Sequence, residues 1–252
     1  MNVNHFQFIN PIDTVDYEER LNGLASAAWP EFMLHDPISA QYWNYLFTDF
    51  PKFQFAIIDT KKNTAAAMAN SVPIHWAGNL EDLPEEGWDW AFQKSVSDHK
   101  EGKKPNMLCA IQVAIHPNYR HKSISREMVK EMRKTAITAD LHQLIAPVRP
   151  SQKSLYPIIS IDHYINWIND ENLPFDGWLR VHARMGAKII KPCHRAMQIT
   201  GSISEWEKWS GLKFPESSDY VIPGALVPVQ IDIENNLGIY IEPNVWMVHE
   251  IS

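Results

Sequence analysis

Leu108-Cys109-Ala110-Ile111-Gln112-Val113-Ala114-Ile115-His116-Pro117-Asn118-Tyr119-Arg120-His121-Lys122-Ser123-Ile124-Ser125 reads as a buried strand, a tight loop and the opening of a helix. Residues 108 to 115 alternate a fully apolar face with a mostly apolar one, as a central strand requires. Beyond the loop, Ile124, Met128, Met132 and Ala136 recur every four residues, with Val129 and Ile137 beside them, which predicts one buried helix face. Arg126, Lys130, Arg133 and Lys134 fall mostly outside that stripe and give the helix a basic side. At its start the backbone N–H groups of residues 121 to 125 lack intrahelical partners, and the dipole adds about half a positive charge. A pyrophosphate matches both deficits. A plain strand-loop-helix unit, in which Ser123 or Ser125 simply caps the helix, is the alternative reading.

The rest of the chain fits such a site better than a nucleic-acid or membrane surface. Its 252 residues, 45% hydrophobic, support a sizeable core, and the net charge of −7 argues against general binding to nucleic acid. Between residues 117 and 135, however, six Lys or Arg face two Glu, so the basic island coincides with the proposed phosphate loop. Two cysteines, Cys109 and Cys193, make a disulfide framework improbable and point to a reducing compartment. No signal-like segment or membrane-length apolar run is visible, so a cytoplasmic location is expected. Ten Trp and seventeen Pro predict long ordered loops packed by aromatic side chains.

Along the chain, the spacing within 13–33 predicts an amphipathic helix ending near Pro30, and a second helix over 37–48. A hairpin of 53–59 and 64–76 follows, then a helix within 77–106 and the strand and helix above. A strand at 142–148 comes next, with an insertion at 150–175, a helix at 175–187 capped by Gly186, a strand at 188–191, and tail strands at 238–241 and 245–251. The loop length requires the 107–115 and 142–148 strands to run parallel around the intervening helix. No repeat or domain boundary is apparent, so residues 1–252 read as one domain.

The run Val113-x-Ile115-x-Pro117-x-Tyr119-Arg120-x-x-Ser123-x-Ser125 resembles the acyl-CoA-binding motif of the GCN5-related N-acetyltransferase (GNAT) superfamily, Gln/Arg-x-x-Gly-x-Gly/Ala at the loop. Arg120 matches the first position, and Ser123 and Ser125 stand where the family prefers Gly and Gly or Ala. The resemblance implies an α/β (α+β) fold with a mixed, mostly antiparallel sheet, a central splayed parallel strand pair, flanking helices and loop insertions. It also implies an acyltransferase using acetyl-CoA or another acyl-CoA, held by Val113, Ile115, Arg120, His121, Lys122, Ser123, Ile124 and Ser125. The acceptor would be a small-molecule amine or a carrier-protein thiol. Where the family's penultimate helix usually carries a Tyr, this chain has His182, which with a pKa of about 6.5 can act as acid or base at neutral pH.

Pro147 to Pro150, Trp178 to Arg184 and Cys193-His194-Arg195 are most similar to the acetyltransferase-like loading domains of polyketide synthases. Carried over by position, His182 matches that subgroup's catalytic His, Trp43 a pocket aromatic and Arg195 a basic residue facing the substrate. The subgroup's second catalytic residue, a Thr, has only Val148 or Arg149 near its place. The resemblance therefore leaves three activities open: acyl transfer, decarboxylative loading of a carrier protein, and silent binding of CoA or a partner. On the residues alone, Arg149 and Arg195 suit a carboxylate or phosphate. Asp162, His163 and Glu216 are not singled out by spacing, and the scattered His5, His75, His99 and His249 predict no metal site.

Overall fold

The computed structural model describes residues 5–120 and 123–251. Among the described residues nine strands form one sheet: β1 (Phe6–Ile9), β2 (Gln54–Asp59), β3 (Thr64–Ile74), β4 (Met107–Ile115), β5 (Gln143–Val148), β6 (Lys188–Gly201), β7 (Ser218–Tyr220), β8 (Val229–Asp232) and β9 (Leu237–Glu250). They run β1-β2-β3-β4-β5-β9-β8-β7, with β6 along the other side of β9. Every pairing is antiparallel except β4 with β5. The mixed sheet with one central parallel pair is the expected architecture.

Nine helices accompany it among the described residues: α1 (Tyr17–Arg20), α2 (Leu24–Ala28), α3 (Pro37–Tyr42), α4 (Tyr45–Thr48), α5 (Gly87–Lys100), α6 (Ile124–Thr138), α7 (Ile161–Tyr164), α8 (Gly177–Arg184) and α9 (Ile203–Ser210). The expected first helix ends before Pro30 as read but is divided into α1 and α2 at Gly23, whose φ of 79° is left-handed, and a 3₁₀ turn, Glu31–His35, follows Pro30. The expected 37–48 helix likewise divides into α3 and α4.

β6 runs to Gly201 rather than stopping at Lys191, and the two tail strands are one, because β9 supplies edge partners over its whole length. β1, β7, β8 and α9 carry too little periodicity to be read locally.

The main core lies where α5 and α6 cover the sheet. Trp88, Ala91, Phe92 and Val96 of α5 pack in the same cluster as Ile124, Met128, Met132 and Ala136 of α6. Burying each large apolar side chain contributes about 1.5–3 kcal/mol. The α6 stripe is as expected except at Ile137, which is 56% exposed. No helix among the described residues is long and apolar enough to cross a membrane.

Candidate active site

β4 and β5 pair only from Met107↔Gln143 to Cys109↔Ile145. Beyond that point β4 continues to Ile115 and β5 to Val148 without pairing each other, so the two strands part. A cleft of about 1160 Å³ opens there, lined by 110–115 of β4 and by Ala146, Pro147 and Val148.

The register of β3 against β4 slips between Asn70↔Gln112 and Ser71↔Ala110, which leaves Ile111 as a bulge. Its carbonyl accepts the Trp88 indole N–H at 2.6 Å. A buried peptide group that has lost its ladder partner is thereby satisfied by a side chain of α5. Gly87 lets α5 start this close. Its φ is 34°, and a Cβ there would stand 2.8 Å from Cys193 Sγ and Ala196 Cβ.

At the other end of the cleft lies the start of α6. Ser123 has φ 59° and makes no side-chain cap, so the capping alternative fails for it. The left-handed conformation explains why a glycine suits this position. The first helical bond runs from Glu127 N–H to Ser123 C=O, which leaves the preceding N–H groups open to an anion.

Arg120, Ser125, Val113 and Ile115 line the cleft. Ile124 is 1% exposed with its side chain in the core, so only its backbone can face a ligand. His121 and Lys122 lie outside the described residues.

His182 projects from α8 into the cleft wall and is buried. The helix is fixed at its start by Asp176, whose carboxylate accepts the N–H groups of Trp178 and Leu179, of Gln152, and the Tyr164 hydroxyl. One buried carboxylate thus ties the 150–175 insertion to the helix that carries His182.

His182 Nδ1 is 2.9 Å from His249 Nε2, and its Nε2 has no hydrogen-bond partner among the described residues. Burial first, then the neighbouring His249, pushes His182 down to about 3. Burial and the Arg133 charge push His249 down to about 4, against the pull of the Met185 carbonyl. The imidazole is therefore neutral at physiological pH, rather than poised between two charge states.

Trp43 lines the cleft as expected, its ring edge-on to Phe92 with centroids 6.3 Å apart. Arg195 does not. It is largely exposed, paired with Glu86 outside the cleft, because the β6 irregularity between Cys193 and Met197 turns this segment toward the start of α5. Arg149 lines the cleft, but its Nε donates to Glu242 at 2.8 Å and its NH2 to the Gly224 carbonyl at 2.7 Å. Val148 lines it too. Asp162 sits with His194 and Glu85 on the surface, apart from the cleft.

The structure also assembles residues that the sequence did not single out. His249, Arg133 and Trp88 support the site from three separate elements. Glu242 lines the cleft from β9, while Asp36, in the turn before α3, and Asp89 of α5 carry buried oxygens but are not among the lining residues. Each lies in an ordinary polar or apolar context along the chain, so no local signal marks them.

No profile of a known protein family matches the chain. It is 32% identical over 253 residues to the arginine N-acetyltransferase avaD of Aspergillus versicolor, covering 90% of this chain and 86% of the relative. Among solved structures it is similar to the loading GNATL domain of CurA from Lyngbya majuscula, with a TM-score of 0.61 at 16% identity, covering 98% of each chain. It is also similar to the GphF GNAT-like decarboxylase in complex with isobutyryl-CoA, with a TM-score of 0.57 at 12% identity, covering 99% of this chain and 100% of that one. With the parted β4–β5 pair and the likeness along nine-tenths of the chain, the conclusion is that this protein belongs to the GNAT superfamily and is an acyl-CoA-dependent acyltransferase.

Proposed function

We propose that the protein moves an acetyl group from acetyl-CoA to a nitrogen of arginine or a close analogue. The observation that carries this reading is the cleft itself. It joins the open start of α6, the β4–β5 gap and the buried Glu242 carboxylate in one cavity, in a chain 32% identical to an arginine N-acetyltransferase.

The α6 N-terminus, Arg120 and Ser125 would hold the donor's phosphates by N–H, guanidinium and hydroxyl groups. Bound acetyl-CoA supplies the thioester; in the net reaction the C–S bond breaks, the C–N bond forms, and the proton lost by the acceptor nitrogen balances the one gained by the thiolate.

His182 acts as a neutral donor. Arg133 NH1 can only donate, and it faces His249 Nδ1 at 3.4 Å while also donating to the Met185 carbonyl at 3.0 Å. With the His249 proton on Nε2 and donated to His182 Nδ1, the His182 proton sits on Nε2. An N–H held in a water-poor wall stabilises charge developing on the reacting thioester, without having to lose a proton.

The carrier-protein loading alternative fits this cleft less well. A malonyl carboxylate needs a cation, and Arg149 is already committed to Glu242. Incubating the purified protein with acetyl-CoA and arginine should give acetyl-arginine and CoA in equal amounts by mass spectrometry. Acetyl-CoA left intact, or hydrolysed without an acetylated amine, would reject the proposal.

A further inference from the structure

Asn70 of β3 and Gln112 of β4 are register partners, two positions along from the pair Met68↔Ala114. With a side-chain period of two, all four lie on one face of the sheet. Met68 and Ala114 pack there with Leu24 of α2, whereas Val113 and Ile115 pack against the cluster that holds Ile124 and Met128 of α6. The cleft reaches both faces. Val113, Ile115, Arg120 and Ser125 line it on the α6 side, and Ala25, Trp29 and Phe47 line it on the α2 side, where Asn70 and Gln112 are also lining residues. A donor anchored at the α6 start brings its thioester to the β4–β5 gap from one face, so the acceptor nitrogen comes from the other.

Asn70 is 1% exposed, and a chain of hydrogen bonds fixes which way its amide points. Gln54 of β2 donates its Nε2 to the Phe50 carbonyl at 2.8 Å and the Ser71 carbonyl at 2.9 Å, and its Oε1 accepts the Ser71 N–H at 3.2 Å. Gln54 therefore offers Asn70 only an oxygen, which accepts Asn70 Nδ2 at 3.1 Å. Asn70 Oδ1 is left pointing away from Gln54, and it has no partner among the described residues. Beside it Gln112 is half-buried, and its side-chain amide likewise makes no hydrogen bond among the described residues.

A buried carbonyl oxygen without a donor is an exception in a folded protein, and here the wall of a cleft explains it. What the oxygen lacks is an N–H or O–H from a ligand. A carboxylate in this place would favour a protonated, unreactive ammonium, whereas a neutral amide oxygen accepts an N–H and leaves the nitrogen its lone pair. A primary nitrogen has two N–H groups for two amide oxygens. A thiol or hydroxyl has one hydrogen and satisfies one of them.

We infer that Asn70 and Gln112 form the acceptor subsite and select a primary, uncharged nitrogen, each amide oxygen accepting one of its two N–H groups. This rests on the arginine reading above and assigns the residues that choose nitrogen over sulfur or oxygen. In the transfer the nitrogen lone pair bonds the acetyl carbon, the C–S bond breaks toward CoA thiolate, and one of the two held protons leaves the nitrogen, balancing the one that the thiolate takes up.

The test first locates the acetylated nitrogen by fragmenting the product in mass spectrometry. Arginine is then compared with its analogue monomethylated at that nitrogen, which has one N–H fewer, in wild type, Gln112→Met and Asn70→Leu. Steady-state kinetics with acetyl-CoA is paired with calorimetric binding of arginine to the protein holding CoA. Wild type should prefer arginine by about 100-fold in kcat/KM. Each variant should raise the KM for arginine by about 10-fold, leave the KM for acetyl-CoA unchanged and shrink the preference to about 10-fold. A purely steric penalty for the methyl group would persist in the variants. Asn70→Leu also breaks the bond to Gln54, so a melting curve accompanies it; Gln112→Met breaks no bond and decides the matter alone if Asn70→Leu does not fold.

An arginine KM and a preference untouched by Gln112→Met overturn the subsite while leaving amine acetylation standing. Arginine whose binding is weakened in the variants but which wild type never acetylates upholds the subsite and rejects the transfer reading. Arginine that neither binds nor reacts overturns both.

Discussion

His249 Nε2 stands 2.9 Å from His182 Nδ1, joining the last strand of the sheet to the short helix α8. Two residues 67 positions apart thereby occupy His182 Nδ1 and leave its Nε2 without a partner among the described residues. His182 lines the cavity and His249 lies behind it.

His182→Ala should lower kcat by about 10²-fold, the range for loss of a positioned proton-bearing group. His249→Leu should lower kcat by about 10-fold with little change in the KM for acetyl-CoA, and His249→Gln, whose amide N–H can still donate to Nδ1, should recover part of the loss. Kinetics on the three variants checks this. Equal rates for the Leu and Gln variants would show that His249 serves packing alone.

Stability should fall between pH 6.5 and 8, and Asp89 is the cause. Its folded pKa, raised to about 8 by burial and by Asp36, lies above the ordinary value of 3.8. The folded state therefore binds more protons than the unfolded one between those values, and stability is lost as pH rises toward 8. The two histidines act oppositely, since their lowered values of about 3 and 4 make stability fall as pH drops below 6.5. Asp89→Asn should thus raise the melting temperature at pH 8 by several degrees, at about 2–4 °C per kcal/mol, and gain little at pH 5. Thermal melts at both pH values read this directly.

Ser123→Gly should stabilise the protein by up to about 1 kcal/mol, because the φ of 59° penalises any side chain with a Cβ. The KM for acetyl-CoA should stay equal or fall. Ser123→Val places a β-branched residue in that conformation and should raise the KM several-fold. Melting curves and donor titrations distinguish the pair, and a Val variant with wild-type KM would contradict the loop geometry.

Trp88→Phe keeps the ring but removes the donor to the Ile111 carbonyl, leaving a buried acceptor unpaired at a cost of about 1–3 kcal/mol. Both stability and kcat/KM should drop, because the bulge it holds forms the wall where β4 and β5 part. An unaltered melting temperature would mean that the bulge is self-supporting.

Much of this was legible in the chain. The 108–125 run fixes a strand, an open loop and a helix by alternation and four-residue spacing, which are local properties, and α6 falls at residues 124–138 as read. The parallel pairing of β4 with β5 follows from connection length. His182 and Trp43 were assigned to the site by the resemblance to the loading-domain subgroup, and both line the cleft. Arg195 could not, because its side chain follows an irregularity in β6 that depends on β9, nearly fifty residues further on.

What only the tertiary structure decided is which distant polar groups share a buried environment. Asp36, Asp89 and Glu242 look like any helix cap, helix surface residue and strand residue until the turn before α3, the start of α5 and β9 are packed together. His249 is one of eleven histidines until β9 passes α8. Sequence periodicity reports which face of an element is buried. It carries no information about what is buried against it, and the charge balance and proton positions of this cleft depend on that second fact.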